Sequence, residues 1–349
     1  MMGIVFQRIC TSVALFILTG ALTSCTTSIP ILPTSSTEKS ATSTRETRQI
    51  PKVVATTTIL CDMTKRIAAE TIELICLLQP GVDAHVYEAT PQQRKAIEDA
   101  HLILYSGYNF EPDLIQLIQS TSNPAARIAV AEKAVPQPLM GGEHDHGHGQ
   151  EDNPPPKGEQ PEPEVPDPHV WQNAANGSQM ATVIQQELAK LVPEQASIYA
   201  RNAKALTTEL TQIHTWIQAQ IATIPAAARK LVTTHDAMTY YSHAYHIPVE
   251  GALQGLSTEE KPTAKRIKEL VDEVKAAEVR TIFAELVVNP KVIQAVARAA
   301  NVKVSDRKLY SDSLGEPGSE ADTYPKLLIA NTKTIVQGLG GQYTAFQLR

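Results

Sequence analysis

The stretch PEQASIYARNAKALTTELTQIHTWIQAQIATI, residues 193–224, carries Leu206, Leu210, Ile213, Ile217, Ile221 and Ile224 at spacings of four and three. Those intervals put six aliphatic side chains on one stripe of an α-helix. Pro193 stands near its start and Pro225 directly after it, both at positions proline tolerates. A helix of about thirty residues is about 45 Å long, enough to run across a two-domain body rather than along one. The pattern predicts a backbone element over 193–225, with an N-terminal lobe at 51–192 and a C-terminal lobe at 226–349.

Both flanks alternate between strand and helix. Before the helix, Lys52–Ile59 is a β-branched run of the kind found in buried strands. Further strands are predicted at Thr71–Leu78, His101–Tyr105 and Arg127–Val130, with a helix to about Glu70 and another after Pro91. Beyond the helix, strands are predicted at Lys230–Thr234, Val249–Leu253, Val279–Ala284 and Val302–Leu309. Helices are predicted at Ala237–Tyr245, Thr263–Ala277, Pro290–Ala300 and Tyr324–Leu339. The fold class is therefore α/β, with a parallel-sheet lobe on each side of one long helix.

The periodicity fails in two places. Residues 1–24 hold Arg8 and an apolar run, Thr11–Leu22, too short to span a bilayer and suited to a signal peptide. It ends in Leu22-Thr23-Ser24-Cys25, which looks like a bacterial lipobox, so Cys25 is the expected lipidation site and membrane anchor. Residues 25–50, rich in Ser and Thr, read as a flexible stalk. The second break, 141–166, is dominated by Gly, Pro, His and acidic residues and reads as a long mobile loop. Of the four cysteines, Cys61 and Cys76 remain as thiols that an oxidising compartment would allow either to pair or to stay separately buried. A net charge of −6 without a basic run leaves no electrostatic footprint for nucleic acid.

Four short motifs each offer one metal-ligating side chain: Gly81-Val82-Asp83-Ala84-His85, Asp167-Pro168-His169-Val170-Trp171, Thr233-Thr234-His235-Asp236 and Leu309-Tyr310-Ser311-Asp312-Ser313. Three imidazoles and one carboxylate make a closed set for a borderline-soft divalent cation, zinc first. Two ligands come from each lobe, and His235 and Asp312 fall at the carboxyl ends of predicted strands, where α/β sheets gather ligands. That places the site in the cleft between lobes. Each imidazole also needs an acceptor to orient its second nitrogen; Asp83, Asp236 and Glu285 are the candidates. His101, His214, His243 and His246 read as ordinary packing or surface residues.

These motifs, with the stalked lipobox and the long helix, resemble the zinc- and manganese-binding receptors of bacterial ABC importers, the ZnuA/TroA-like family. The resemblance covers about Lys52 to Leu339. It includes Asp83–Glu88, Asp167–Trp171, Thr234–Tyr241, Tyr310–Gly315, and Thr323–Leu327 with Asn331. It implies two α/β lobes on a rigid backbone helix, with metal held by His85, His169, His235 and Asp312. It also implies a monomeric receptor on the periplasmic or outer face of the cytoplasmic membrane, handing its ion to a permease driven by a cytoplasmic ATPase.

The resemblance favours Zn2+, with Mn2+ the alternative, because manganese receptors commonly carry Glu where this chain has His235. Zinc-type relatives also tend to carry a His- and acid-rich loop. Here His144, His146 and His148 form a short version followed by a Pro-Glu spacer, suited to auxiliary capture of metal. Two other classes compete: a surface adhesin or metal buffer, which needs no importer partners, and a zinc hydrolase, which needs an open coordination position and a base. The sequence has no His-Glu-x-x-His helix, and Asp312 as fourth ligand would close the site. The expectation is a receptor and not an enzyme.

Overall fold

The computed structural model of the chain describes residues 50–141 and 164–349. The first element is β1 (Lys52–Ala55), whose Val53, Val54 and Ala55 are fully buried, as a strand with both faces covered requires. It leads into α1 (Thr58–Ala68), capped where the Thr57 hydroxyl accepts from Leu60 N at 3.3 Å. Next come β2 (Glu73–Cys76), α2 (Pro91–Glu98) and β3 (Leu102–Tyr105). After these follow α3 (Pro112–Ser120), β4 (Ala126–Ala129) and α4 (Val130–Ala134). The four strands form one all-parallel sheet in the order β2-β1-β3-β4.

α3 is not among the elements expected from the sequence, although Pro112 opens it and Leu114, Leu117 and Ile118 form its buried face. The edges of the 141–166 segment are paired: β5 (Met140–Gly141) and β6 (Val165–Pro166) run antiparallel, so the expected loop is closed at its base. The signal segment 1–24, Cys25, the stalk to residue 49, and His144, His146 and His148 lie outside the described residues.

The long helical region is two helices, α5 (Ala174–Leu191) and α6 (Ala196–Ala222). Pro193 sits in a single 3₁₀ turn between them, because its ring and missing N–H break the ladder at that point. α6 has 27 residues and spans about 40 Å. Leu206, Leu210, Ile213, Ile217 and Ile221 are all 2 % exposed or less, so the stripe read from the sequence is the buried face. α6 touches α1 and α5 on the N-terminal side and the last helix on the C-terminal side.

The C-terminal lobe opens with β7 (Leu231–His235), α7 (Thr239–Tyr245), β8 (Val249–Gln254) and α8 (Ala264–Ala276). His246 ends α7 in the left-handed region at φ 56°, a conformation that favours glycine. Then come β9 (Thr281–Ile282), α9 (Lys291–Ala300), β10 (Lys303–Val304) and α10 (Tyr324–Gly338). β7 pairs with β8 and β9 with β10, all parallel, and Phe283 N donates to Val232 O at 2.9 Å between the two pairs.

The strands expected at 279–284 and 302–309 are shorter than predicted. Regular pairing lasts two residues in each, then the chain loops out at 305–308, where Arg307 pairs with Glu320. It rejoins as Leu309, bridged to Glu285, with Leu309 N donating to Ala284 O at 2.9 Å. A second core of Val232, Leu253, Leu270, Val274, Ile282, Ile293 and Val296 lies under α8 and α9, while the main core joins α1, α5, α6 and α10.

Cys61 of α1 and Cys76 of β2 are disulfide-bonded, with Cα atoms 5.6 Å apart and a sequence separation of 15. Cross-linking a loop of that size restricts the unfolded chain by about 3 kcal/mol. The double substitution Cys61→Ser/Cys76→Ser is therefore expected to lower unfolding free energy by about that amount in urea titration. A loss below about 0.5 kcal/mol would show that the bridge contributes little through the unfolded state.

Candidate metal centre

The four motif residues sit at a strand end or in the loops between regular elements. His235 is the last residue of β7, and Asp312 lies three residues past the Glu285–Leu309 bridge. His85 follows the turn after β2, and His169 precedes the 3₁₀ turn that leads to α5. Their ligand atoms converge to within 4.8 Å of one another, and all four residues are buried. Asp312 is the hub: its carboxylate oxygens lie 3.8 Å from His85 Nε2, 3.4 Å from His169 Nε2 and 3.2 Å from His235 Nε2. Those three nitrogens and both oxygens of Asp312 make no hydrogen bond. Five orphaned buried polar atoms aimed at one point are costly in any protein unless a cation binds there.

The second nitrogen of two rings is committed. His169 Nδ1 lies 2.8 Å from Asp167 Oδ1, which also accepts the His169 backbone N–H at 2.8 Å. His235 Nδ1 lies against Glu285 Oε2, while Glu285 Oε1 accepts Thr234 N and His235 N at 2.8 and 2.9 Å. Both arrangements turn the Nε2 lone pair toward Asp312, the usual way a protein aims a ligating imidazole. Of the three candidate orienting acceptors, Glu285 reaches a ring. Asp83 instead accepts the His85 backbone N–H at 3.0 Å, and Asp236 accepts the Thr239 hydroxyl at 3.2 Å.

Asp167 was missed in the sequence. Its signal is local: Asp83 and Asp167 each stand two residues before a site histidine and hold that residue's N–H, as an Asx turn does. Phe110 was also missed; it packs edge-on at 4.9 Å from the His85 ring and 4.6 Å from Trp171, walling the site with apolar surface. His101 and His214 stand apart from this cluster, accepting from Lys52 N at 3.1 Å and facing the Tyr245 hydroxyl at 3.3 Å respectively.

The Asp312 segment is sewn to the N-terminal lobe. Trp171 Nε1 and Gln172 Nε2 donate to Ser311 O at 2.8 and 2.7 Å. Gly81 N donates to Ser313 Oγ at 2.9 Å, and Leu314 N donates to Thr58 Oγ1 at 3.0 Å. From its own side, Asn331 of α10 brackets Tyr310 by accepting its N–H and donating to its carbonyl, both at 2.8 Å.

Burial governs the His85 ring. It lowers His85 to about 3, only partly opposed by Asp312, so this imidazole is a neutral donor at physiological pH. Burial also works against the charged form of His235, but Asp312 and Glu285 outweigh it and hold its pKa well above the ordinary value. Asp312 sits below the usual carboxylate range: desolvation raises it, and its charge interaction with His235, helped by His169 and His85, more than reverses that.

With this geometry in hand, the comparisons are direct. The family described as "Zinc-uptake complex component A periplasmic", ZnuA, matches residues 53–338. The manganese-binding lipoprotein MntA of Bacillus subtilis is 31 % identical over 292 residues, covering 82 % of this chain and 89 % of the relative. The manganese ABC transporter substrate-binding lipoprotein PsaA of Streptococcus pneumoniae is 30 % identical over 295 residues, with the same coverage. The solved periplasmic zinc binding protein TroA from Treponema pallidum superposes with a TM-score of 0.73 at 29 % identity, over 83 % of this chain and 99 % of that one. The chain belongs to the ZnuA family.

Asp167→Asn keeps the shape of the side chain and removes the charge that orients His169. Affinity for a divalent cation is expected to fall 10–100-fold in competition with a chelating dye. An unchanged affinity would mean that the pairing does not aim the ring.

Proposed function

We propose that this protein is the extracytoplasmic receptor of an ABC-type importer and that its cargo is zinc, held by His85, His169, His235 and Asp312. The observation that carries the reading is the convergence of three Nε2 atoms and the two Asp312 oxygens, all buried and all without another partner. Three imidazoles and a carboxylate suit tetrahedral zinc. The importer role is supported by family membership and by relatives named as substrate-binding lipoproteins of metal transporters. On this reading the ion passes to a membrane permease coupled to a cytoplasmic ATPase, and Cys25 carries the lipid that tethers the chain outside the membrane. Among the described residues no helix is long and apolar enough to cross a membrane.

Manganese is the second reading. Both Asp312 oxygens face the three nitrogens, which would allow a bidentate, five-donor site for a harder ion, and MntA and PsaA are named for manganese. A hydrolase is disfavoured, because Asp312 lies among the imidazoles as a fourth donor instead of standing back as a base. His144, His146 and His148 are assigned auxiliary capture of zinc ahead of the cleft.

Stripping the protein and titrating zinc against manganese tests the cargo. One tight zinc equivalent that manganese does not displace is expected, with His235→Glu shifting the preference toward manganese. Manganese retention by the unsubstituted chain would overturn zinc and keep the receptor; no tight ion in either form would remove both.

Protons compete with the ion at His235. Its raised pKa in the metal-free protein means the ring is charged until a cation displaces the proton, so affinity falls as pH falls. His85, already neutral above pH of about 3, adds nothing to that slope. Binding in weakly buffered solution near neutral pH should release about one proton per ion, and release of none would contradict the charged state of His235.

A further inference from the structure

The segment between β8 and α8 crosses to the other lobe and takes hold of a site residue's backbone. Thr258 Oγ1 donates to Asp83 Oδ2 at 2.7 Å, across 175 residues of sequence. The other oxygen of the same carboxylate accepts His85 N at 3.0 Å. One side chain of the N-terminal lobe thus joins a C-terminal segment to the residue that presents His85 to the centre.

The segment is rooted beside another residue of the centre. Gln254 is the register partner of His235 in the β7–β8 ladder. Its side-chain amide donates to Thr258 O at 3.1 Å and to Glu260 O at 2.7 Å, which folds residues 254–260 into a fixed arch. Asp236 N donates to Gly255 O at 3.1 Å at the base of that arch. Leu256 makes a second contact with the N-terminal lobe: its Cδ1 lies 3.1 Å from where a Cβ on Gly141 would stand, so only glycine fits there without a shift. The arch therefore begins next to His235, rests on Gly141 and ends, through Asp83, on His85. His85 itself is 4 % exposed, so the rim must open before an ion reaches its Nε2, and this arch is part of that rim.

We propose that the Asp83–Thr258 hydrogen bond is the latch of the cleft: it governs how fast the ion enters and leaves. The proposal rests on the reading of the four residues as ligands of a divalent cation. Thr258 is a positioning residue; it acts on the centre only through Asp83. While the hydroxyl is in place, the arch and the His85 turn move as one body. Without it, the arch keeps only its apolar rest on Gly141, and the His85 turn, still held by Asp83 Oδ1, loses its direct tie to the arch. A hydrogen bond to a charged acceptor at a half-buried position is strong enough to change an opening equilibrium about tenfold. Because both entry and exit need the opening, the two rates should rise together, and affinity should change less than either.

Thr258→Val removes the hydroxyl and keeps the β-branched shape, and Thr258→Ser keeps the hydroxyl. In the full chain loaded with zinc, chelator-driven dissociation followed by stopped flow is expected to be about tenfold faster for Thr258→Val, and within about twofold of the unsubstituted rate for Thr258→Ser. Association should accelerate in the same direction. Thermal unfolding of the metal-free protein separates a latch from a packing defect, and a fall of no more than about 2–4 °C is expected there. An unsubstituted rate in Thr258→Val, with full zinc content, overturns the latch and leaves the receptor standing. So does a loss of affinity that tracks a loss of thermal stability and is not rescued by Ser. Failure of the unsubstituted chain to hold either zinc or manganese overturns both.

Discussion

Asp312 is a carboxylate 2 % exposed, with neither oxygen hydrogen-bonded and three imidazole nitrogens within 3.8 Å. A charge in that position costs several kcal/mol in desolvation unless other charges balance it. Within the protein the balance is incomplete. Glu285 and Asp167 are also buried, each against the far side of a ring, and protonated His235 is one positive charge among three acidic groups. Such a cluster is strained electrostatically and tightly preorganised at once. A divalent cation would satisfy all five orphaned atoms together, and the same groups that make the bare centre costly would make it bind.

That constraint explains why the lobes meet as they do. Asp312 is carried by a short segment with little regular structure of its own, since β10 ends at Val304 and the chain returns only at Leu309. Its position is set from outside, by Trp171 and Gln172 on Ser311, by Thr58 and Gly81 around Ser313 and Leu314, and by Asn331 on Tyr310. Most of these hydrogen-bond partners belong to the N-terminal lobe. The carboxylate is thus delivered by one lobe and held by the other, a geometry that α6 supports by packing against helices of both. The Cys61–Cys76 bridge reinforces the same corner, because Cys61 lies one turn after Thr58 and Cys76 leads into the strand exit toward Gly81.

What the sequence made legible follows from how local each signal is. The stripe of α6 is a pattern within one element, and it turned out to be the buried face. His235 was placed at a strand end because β-branched runs and their termini are local too. The partner of the His235 ring, Glu285, was readable only as one of several acidic residues, since 50 residues separate them and register decides the contact. Asp167 was hidden for the opposite reason: it lies so close to His169 that it reads as turn chemistry, and its second role on the ring appears only in three dimensions. β9 was overestimated because the apolar Phe283 and Ala284 continue past its paired positions, and β10 because Leu309 rejoins the sheet after a polar detour at 305–308 that local pattern does not reveal.

The donor set also bears on which ions the centre tolerates. The walls are stiff: Phe110 and Trp171 pack edge-on against each other and around His85 and His169, with Phe110 wholly buried. Three ring centroids only 5.2 to 5.8 Å apart leave a small cavity whose shape side-chain rotation cannot easily enlarge. Asp312 is the adjustable member, because a carboxylate can bind through one oxygen or two without moving its backbone. A small ion that prefers four donors would use one oxygen, while a larger, harder one would recruit both and still lack the additional oxygen ligands it favours. Were these residues to hold a cation, selectivity would rest less on the imidazoles, which either ion accepts, than on the absence of a second carboxylate at the position His235 occupies.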